Sequence, residues 1–265
     1  MGSLRANLLS METFKGIYAA YYDLMYGAKD YRAEVDFYLS LIKKYKSVKG
    51  DSIISFGAGT LNHEGLLARR GFEILGVEYS ADMVRLARQK LKAKRIKNII
   101  IKKGDMRSFR TDKKYDIALS MFNVVSYCQG LPELKKAIAS ASKSLVPGGI
   151  FIFDFWNARA VRKSPPRNRW TKFKKGSLQL YRLTDPTLYP EKDFFELSIE
   201  LFEFRNDAFK NRRLEKHRVS SWDISDIKKI LRATDLKYLS SSVFLDSKKP
   251  LSDDEWSGVV IAKKS

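Results

Sequence analysis

Gly57 and Gly59 close an apolar run, Ser52–Phe56, and the next apolar run ends on an acid, Glu78, 21 residues after Gly57. Glycines at such a bend let the backbone pass close to a ligand where a Cβ would collide. A carboxylate at that spacing can accept hydrogen bonds from a ribose hydroxyl pair in a nucleotide-binding α/β unit. Proton-transfer groups are few. The two histidines are His63, in the first turn after the glycine bend, and His217, far along the chain. His63 reads as a packing or capping residue. His217 is a candidate base, because histidine exchanges its proton near neutrality. Two histidines so far apart make no metal site, and the single Cys128 excludes an internal disulfide framework and a cysteine-rich zinc site.

Alternating elements must hold these residues. Candidate strands are Ser52–Phe56, Glu73–Val77, Asn98–Ile101, Asp116–Leu119 and Gly149–Phe155, with helices near Leu61–Arg70, Ala81–Ala93 and Pro132–Leu145 between them. Strands alternating with helices imply a parallel sheet with right-handed crossovers. Ahead of them, residues 11–48 read as helical, with an aromatic cluster (Tyr18, Tyr21, Tyr22, Met25, Tyr26) and Asp30 as a cap for the helix from Tyr31. After Trp156 the pattern changes. Residues 157–176, basic and holding Pro165-Pro166, read as a loop. Leu178–Leu183, Phe194–Phe204 and Leu214–Ser220 read as strands of an antiparallel sheet with one wet face. A helix at Ile224–Ala233 and strands at Leu239–Leu245 and Gly258–Ala262 close the chain.

The 265 residues carry a net charge of +20, which favours an anionic partner. Arg85–Lys103 and Arg159–Arg182 each hold nine Lys or Arg and no acid. The bland readings are a solvated helix face for the first and a mobile loop for the second. No apolar run is long enough for a membrane span. The start, MGSLRANLLS, lacks the apolar stretch of a secretory signal, so a cytoplasmic protein is expected, with Met11 as a candidate start after a ten-residue extension. The sequence is silent on oligomeric state.

FGAGT (Phe56–Thr60), GVEYSADMVRLAR (Gly76–Arg88), GDM (Gly104–Met106) and LVPGGIFIFD (Leu145–Asp154) together resemble class I S-adenosylmethionine-dependent methyltransferases, from about Tyr18 to Ala262. YYDLMYGAKDY (Tyr21–Tyr31), MFNVVSY (Met121–Tyr127), DFWNARAV (Asp154–Val161) and EKHRVSSWDISDIKKIL (Glu215–Leu231) look like small-molecule members, among them N,N-dimethyltransferases of nucleotide-linked amino sugars. The resemblance implies a Rossmann-like, doubly wound seven-stranded sheet, mostly parallel with the last strand antiparallel, and an antiparallel β insertion after the fifth strand. It implies a helical lid over residues 1–48, a cofactor-binding core over 49–156, a basic loop and insertion over 157–221 covering the acceptor, and a closing segment over 222–265.

It also assigns roles. S-adenosylmethionine is the expected cofactor, lined by Tyr22, Gly57, Ala58, Gly59, Glu78, Tyr79, Met83, Asp105, Met106, Met121 and Phe122. In this scheme Asp105 accepts from the adenine amine while Met106 packs on the ring. Tyr22, Asn123 and His217 are the candidate catalytic residues. Tyr26, Tyr127, Trp156, Asn157, Arg167 and Arg169, with Lys172 beside them, are the candidates for the acceptor, an anionic small molecule methylated on N or O. Aromatic faces at Tyr22 and Tyr26 would favour a sulfonium or an ammonium. Two positions depart from the family: Ser55 stands where an acid that helps hold the methionine amino group is usual, and Leu61 where a third glycine is usual.

Two other readings compete. A nucleic-acid methyltransferase would suit the charge, yet SMFNVVSY (Ser120–Tyr127) lacks the Asn/Asp-Pro-Pro-aromatic motif, and no proline precedes Cys128. A polyanion-binding protein with a decayed cofactor pocket would suit Ser55 and Leu61.

Overall fold

The computed structural model describes residues 13–189 and 194–265; the expectation about Met11 lies outside them. The main sheet holds β1 (Ser52–Phe56), β2 (Glu73–Glu78), β3 (Ile99–Lys103), β4 (Tyr115–Ser120), β5 (Leu145–Trp156), β10 (Leu236–Val243) and β11 (Ser257–Lys264), in the order β10-β11-β5-β4-β1-β2-β3. β1 to β5 pair in parallel, and β11 runs antiparallel to both of its neighbours, as expected. β1 lies between β2 and β4, so the winding reverses there. Ligands of open α/β sheets bind beyond the strand ends at such a reversal, and Gly57 begins at that end of β1.

Helices cover both faces because strand residues alternate between them. α3 (Tyr31–Tyr45), α4 (Asn62–Ala68) and α5 (Ala81–Lys94) bring Leu41, Leu67 and Val84 against Ile53, Ile74 and Ile117. α6 (Leu131–Ser144) and α8 (Ile224–Arg232) bring Ile138 and Leu231 against Ile54, Phe56 and Phe153 on the other face. Each such side chain contributes about 1.5–3 kcal/mol on burial, against about 0–1 kcal/mol for an exposed ion pair, so the two apolar layers hold the sheet. Asp30 caps α3 by accepting from the Ala33 N–H at 3.0 Å.

A second sheet, β6 (Arg169–Lys175), β7 (Leu178–Tyr189), β8 (Phe194–Arg205) and β9 (Ala208–Ser220), is antiparallel throughout. Its inner face, through Leu180, Ile199 and Leu201, packs on Tyr18 and Met25. These two belong to α1 (Gly16–Ala20) and α2 (Tyr22–Met25). The N-terminal helices thus lie between the second sheet and the C-terminal edge of the first.

The loop expected over 157–176 is corrected. Residues 158–163 form a helix, α7 (Ala158–Lys163), and Arg169–Lys175 is strand β6. Tertiary partners override the composition: Ala158 and Ala160 are buried, Arg159 and Arg162 both pair with Asp223, and Lys163 pairs with Asp254. The acids that neutralise this basic run come from 60 or more residues away in sequence, out of reach of a local reading. The lysines of β6 suit an edge strand, where they discourage pairing with another chain. β7 also runs six residues past its expected end, through Pro186. Beyond Thr184 no β6 residue pairs with it, so the missing N–H of Pro186 breaks no ladder on that side.

Candidate active site

The glycine bend is forced by what surrounds it. Gly57 has φ +69°, and a Cβ there would sit 2.3 Å from a Val124 methyl. The N–H groups of Gly57 and Ala58 both donate to the Val77 carbonyl. Leu61, in the position of a third glycine, also takes a left-handed conformation, φ +66°. Its side chain is buried beside Ala58 and Gly76, in the layer under the sheet. Glu78 turns back toward this bend. Its Oε2 accepts from the Gly59 N–H at 2.8 Å and its Oε1 from the Ser80 N–H at 2.7 Å. Burial pushes its pKa up, while the two N–H groups hold it down. The bend is also clipped to the N-terminal helices: Asp23 accepts from Thr60 Oγ1 at 2.6 Å and from Asn62 Nδ2 at 3.0 Å, and pairs with Lys90 at 2.8 Å.

An aromatic wall faces the ends of β4 and β9. The Phe14 ring lies 5.5 Å from Tyr18, 5.6 Å from Tyr127 and 5.0 Å from His217. Tyr22 lies 4.7 Å from Tyr26, which meets the edge of Phe122 at 5.4 Å. Polar atoms thread the wall. The Tyr127 hydroxyl is 3.0 Å from His217 Nδ1, and His217 Nε2 is 3.2 Å from Glu215 Oε2. Glu215 also accepts from the Phe14 and Lys15 N–H groups at 2.8 and 2.9 Å. An ionised carboxylate only accepts. His217 therefore donates from Nε2, and as a neutral ring it accepts from the Tyr127 hydroxyl at Nδ1. Glu215 fixes the tautomer and fastens the N-terminal segment at once.

The turn after β4 is held from below. Phe122 and Asn123 have φ +71° and +57°, a region β-carbon residues seldom adopt. Both of their N–H groups donate to the Asp154 carboxylate at 2.9 Å. Asp154, on β5, is 2% exposed, and burial pushes it up to about 6. The Asn123 Oδ1 is buried with no partner among the described residues. His63 donates to Glu34 at 2.7 Å against the Tyr31 ring, and burial holds it down at about 4, so it packs as a neutral ring.

Other expected site residues have partners of their own. Asp105 is clasped by its neighbour Arg107, 2.6 Å away and tied in turn to Glu133 at 2.6 Å. Met106 and Met121 are buried in opposite core layers, and Met83 lies under Gly59. Tyr79 is largely exposed at the end of β2. Trp156 stacks on Phe195 at 5.2 Å. Asn157 is buried and spends its amide on the Ser252 and Glu255 carbonyls, closing the β5–α7 junction. Arg167 and Arg169 are exposed, Arg169 pairing with Thr184 at the edge of the second sheet. Arg182 does reach it, over the Tyr26 ring at 5.3 Å. Asp154, Arg182 and Glu215 lie in stretches singled out above, but nothing local gives them a role, and Phe14 and Glu64 carry no signal at all; only the fold brings them here. Cys128 is buried and its thiol is pushed up to about 12. Iodoacetamide at about pH 8 is therefore expected to spare the native protein and label it only after denaturation; native labelling at a free-thiol rate would contradict that burial.

Residues 53–149 match the family described as a methyltransferase domain. Over 141 residues the chain is 33% identical to the dTDP-3-amino-3,4,6-trideoxy-alpha-D-glucopyranose N,N-dimethyltransferase of Streptomyces venezuelae, covering 52% of this chain and 57% of that protein. It is 28% identical over 145 residues to the dTDP-3-amino-3,6-dideoxy-alpha-D-glucopyranose N,N-dimethyltransferase of Streptomyces fradiae, covering 54% of each. The chain spans about half the length of the curated relatives it matches. Among solved structures it is similar to an S-adenosylmethionine-dependent methyltransferase from Clostridium acetobutylicum, with TM-score 0.79 and 20% identity over 94% of this chain and 98% of that one. It is also similar to the sugar N-methyltransferase KedS8 from Streptoalloteichus, with TM-score 0.78 and 15% identity over 100% of both. Residues 53–149 are thus similar to a methyltransferase domain, and the fold is shared along nearly the whole chain with S-adenosylmethionine-dependent methyltransferases.

Proposed function

We propose that this protein transfers a methyl group from S-adenosylmethionine to an amine on a small anionic acceptor of the nucleotide-linked amino-sugar class. The observation that carries the reading is Glu78, buried at the end of β2 with its carboxylate turned to the Gly59 N–H. Each of its oxygens keeps a lone pair for a ribose hydroxyl. The residues present fit such a ligand: the Gly57–Gly59 backbone admits close approach, Leu61 is withdrawn into the core, and Tyr22 and Tyr26 offer faces to a cation. The cofactor supplies a methyl group on a positively charged sulfur, already activated for displacement.

The chain's own residues then align the acceptor and take its proton. Asn123 Oδ1, buried and unpartnered, can accept one N–H of the amine. The Tyr127 oxygen can accept another while its own proton moves to His217 Nδ1, and Glu215 stabilises the imidazolium that results. Arg182 is the cation best placed to meet an acceptor phosphate. Against a dTDP-amino sugar, Tyr127→Phe and His217→Gln are each expected to lower kcat about 100- to 10,000-fold, the usual range for a lost proton-transfer group. Arg182→Ala is expected to raise KM and leave kcat near its starting value. Mass spectrometry of the sugar product, with steady-state rates, reads all three. Absence of any S-adenosylmethionine binding in a calorimetric titration would end the reading.

A further inference from the structure

Glu64 is a buried acid that nothing described above employs. It sits on α4, 2% exposed, under the glycine bend. Its Oε1 accepts from Ser55 Oγ at 2.6 Å, and its Oε2 is buried with no hydrogen-bond partner. An ionised carboxylate oxygen left bare in the interior is strongly unfavourable, so it calls for a donor, best a cation. No described neighbour serves. Lys90 is drawn off to Asp23 and Asn62, and His63 is turned to Glu34. Ser55, its partner, is the last residue but one of β1, beside Gly76 on one flank and Leu119 on the other. The pair therefore lies at the reversal of the sheet, directly before the bend. Its charge also acts on Glu78, across the same loop.

We infer that Glu64 is the acid that receives the α-ammonium group of the methyl donor, oriented for it by the Ser55 hydroxyl. The inference rests on the cofactor reading proposed above and adds to it a residue and a polar contact. It also explains how β1 can end in Ser-Phe-Gly without an acid of its own: the carboxylate comes from the next helix and is held in place across the strand end. The Tyr127–His217 pair already offers the acceptor's amine a proton path from the aromatic wall, so that amine is the less suitable occupant.

The test is a calorimetric comparison of two ligands, S-adenosylhomocysteine and its deamino analogue, in which hydrogen replaces the ammonium group. The wild-type protein is expected to prefer S-adenosylhomocysteine. Glu64→Gln is expected to weaken that ligand by roughly 10- to 100-fold, as for loss of a charge-assisted hydrogen bond, and to leave the analogue unchanged. Ser55→Asp combined with Glu64→Gln, which returns an acid to the strand end, is expected to regain most of the preference and guards against a folding defect in the single variant. Equal weakening of both ligands, or of neither, overturns the role of Glu64 alone. Failure of the wild-type protein to bind either ligand overturns the cofactor reading and this inference with it. A Glu64→Gln loss that appears only with the amino-sugar acceptor would assign the carboxylate to the acceptor amine and overturn the donor assignment.

Discussion

Glu78→Ala is expected to weaken S-adenosylmethionine by about 100-fold or more, the largest effect on binding of any single change in this chain. Two losses add. The ligand's hydroxyl pair loses a charged acceptor, at roughly 1.5–3 kcal/mol per charge-assisted hydrogen bond, and the Gly59 and Ser80 N–H groups lose the carboxylate they donate to. Glu78→Gln keeps the shape and one acceptor oxygen, so it should fall between, near 10-fold. The pH dependence carries a definite sign. Burial raises the pKa of Glu78, and a proton on the carboxylate competes with the donated hydroxyls. Affinity should therefore rise with pH through that raised value and then level off. Glu78→Gln should be flat over the same range. Isothermal titration across a pH series measures both. An alanine variant that binds as tightly as the wild type would remove Glu78 from the site.

The sheet was legible because its rules are local. Short continuous apolar runs, glycine at Gly57 and an acid closing β2 each act within a few residues, and strand β1 falls where the pattern puts it. Asp30 as a cap is equally local. What could not be read is contact between distant elements. α7 is stabilised by Asp223 and Asp254, and the composition of 157–176 alone argues for a loop. Asn157 looked like an acceptor residue by its place after β5, yet its amide is consumed by backbone carbonyls almost a hundred residues on. Ser55 looked like a defect in the cofactor site, and the structure sets Glu64 against it. Glu215 and Phe14 are some two hundred residues apart, and their hydrogen bond exists only because β9 passes over the N-terminal segment. The proposed binding-loop chemistry follows from spacing, while the proposed proton path at the acceptor follows from topology.

Asp154→Asn is expected to lower folding stability by about 2–4 kcal/mol and to cost activity about 10-fold or more, because one carboxylate holds the whole turn after β4. Left-handed geometry at two side-chain-bearing residues, Phe122 and Asn123, disfavours the turn by about 1–2 kcal/mol each. Two charge-assisted hydrogen bonds, each about 1.5–3 kcal/mol, outweigh that strain by a narrow margin. An asparagine offers one oxygen and turns an N–H toward the second donor, so the balance reverses, and Phe122 leaves the edge of Tyr26 as Asn123 leaves its post. Acid titration separates this group from its neighbours. Asp154 has its pKa raised to about 6, so it favours the folded state below the range of an ordinary aspartate, and that contribution is lost as pH rises through about 6. His63, held down at about 4, acts oppositely: the folded state loses stability as pH falls from the range of an ordinary histidine toward 4. In the wild type the two offset each other. The asparagine variant keeps only the His63 contribution, so its stability should fall more steeply than the wild type's between about pH 6 and pH 4. Urea unfolding at several pH values measures the difference. Parallel pH profiles for the two proteins would mean that Asp154 does not titrate there, and an unchanged turnover in Asp154→Asn would mean that the Phe122–Asn123 turn does not position the acceptor.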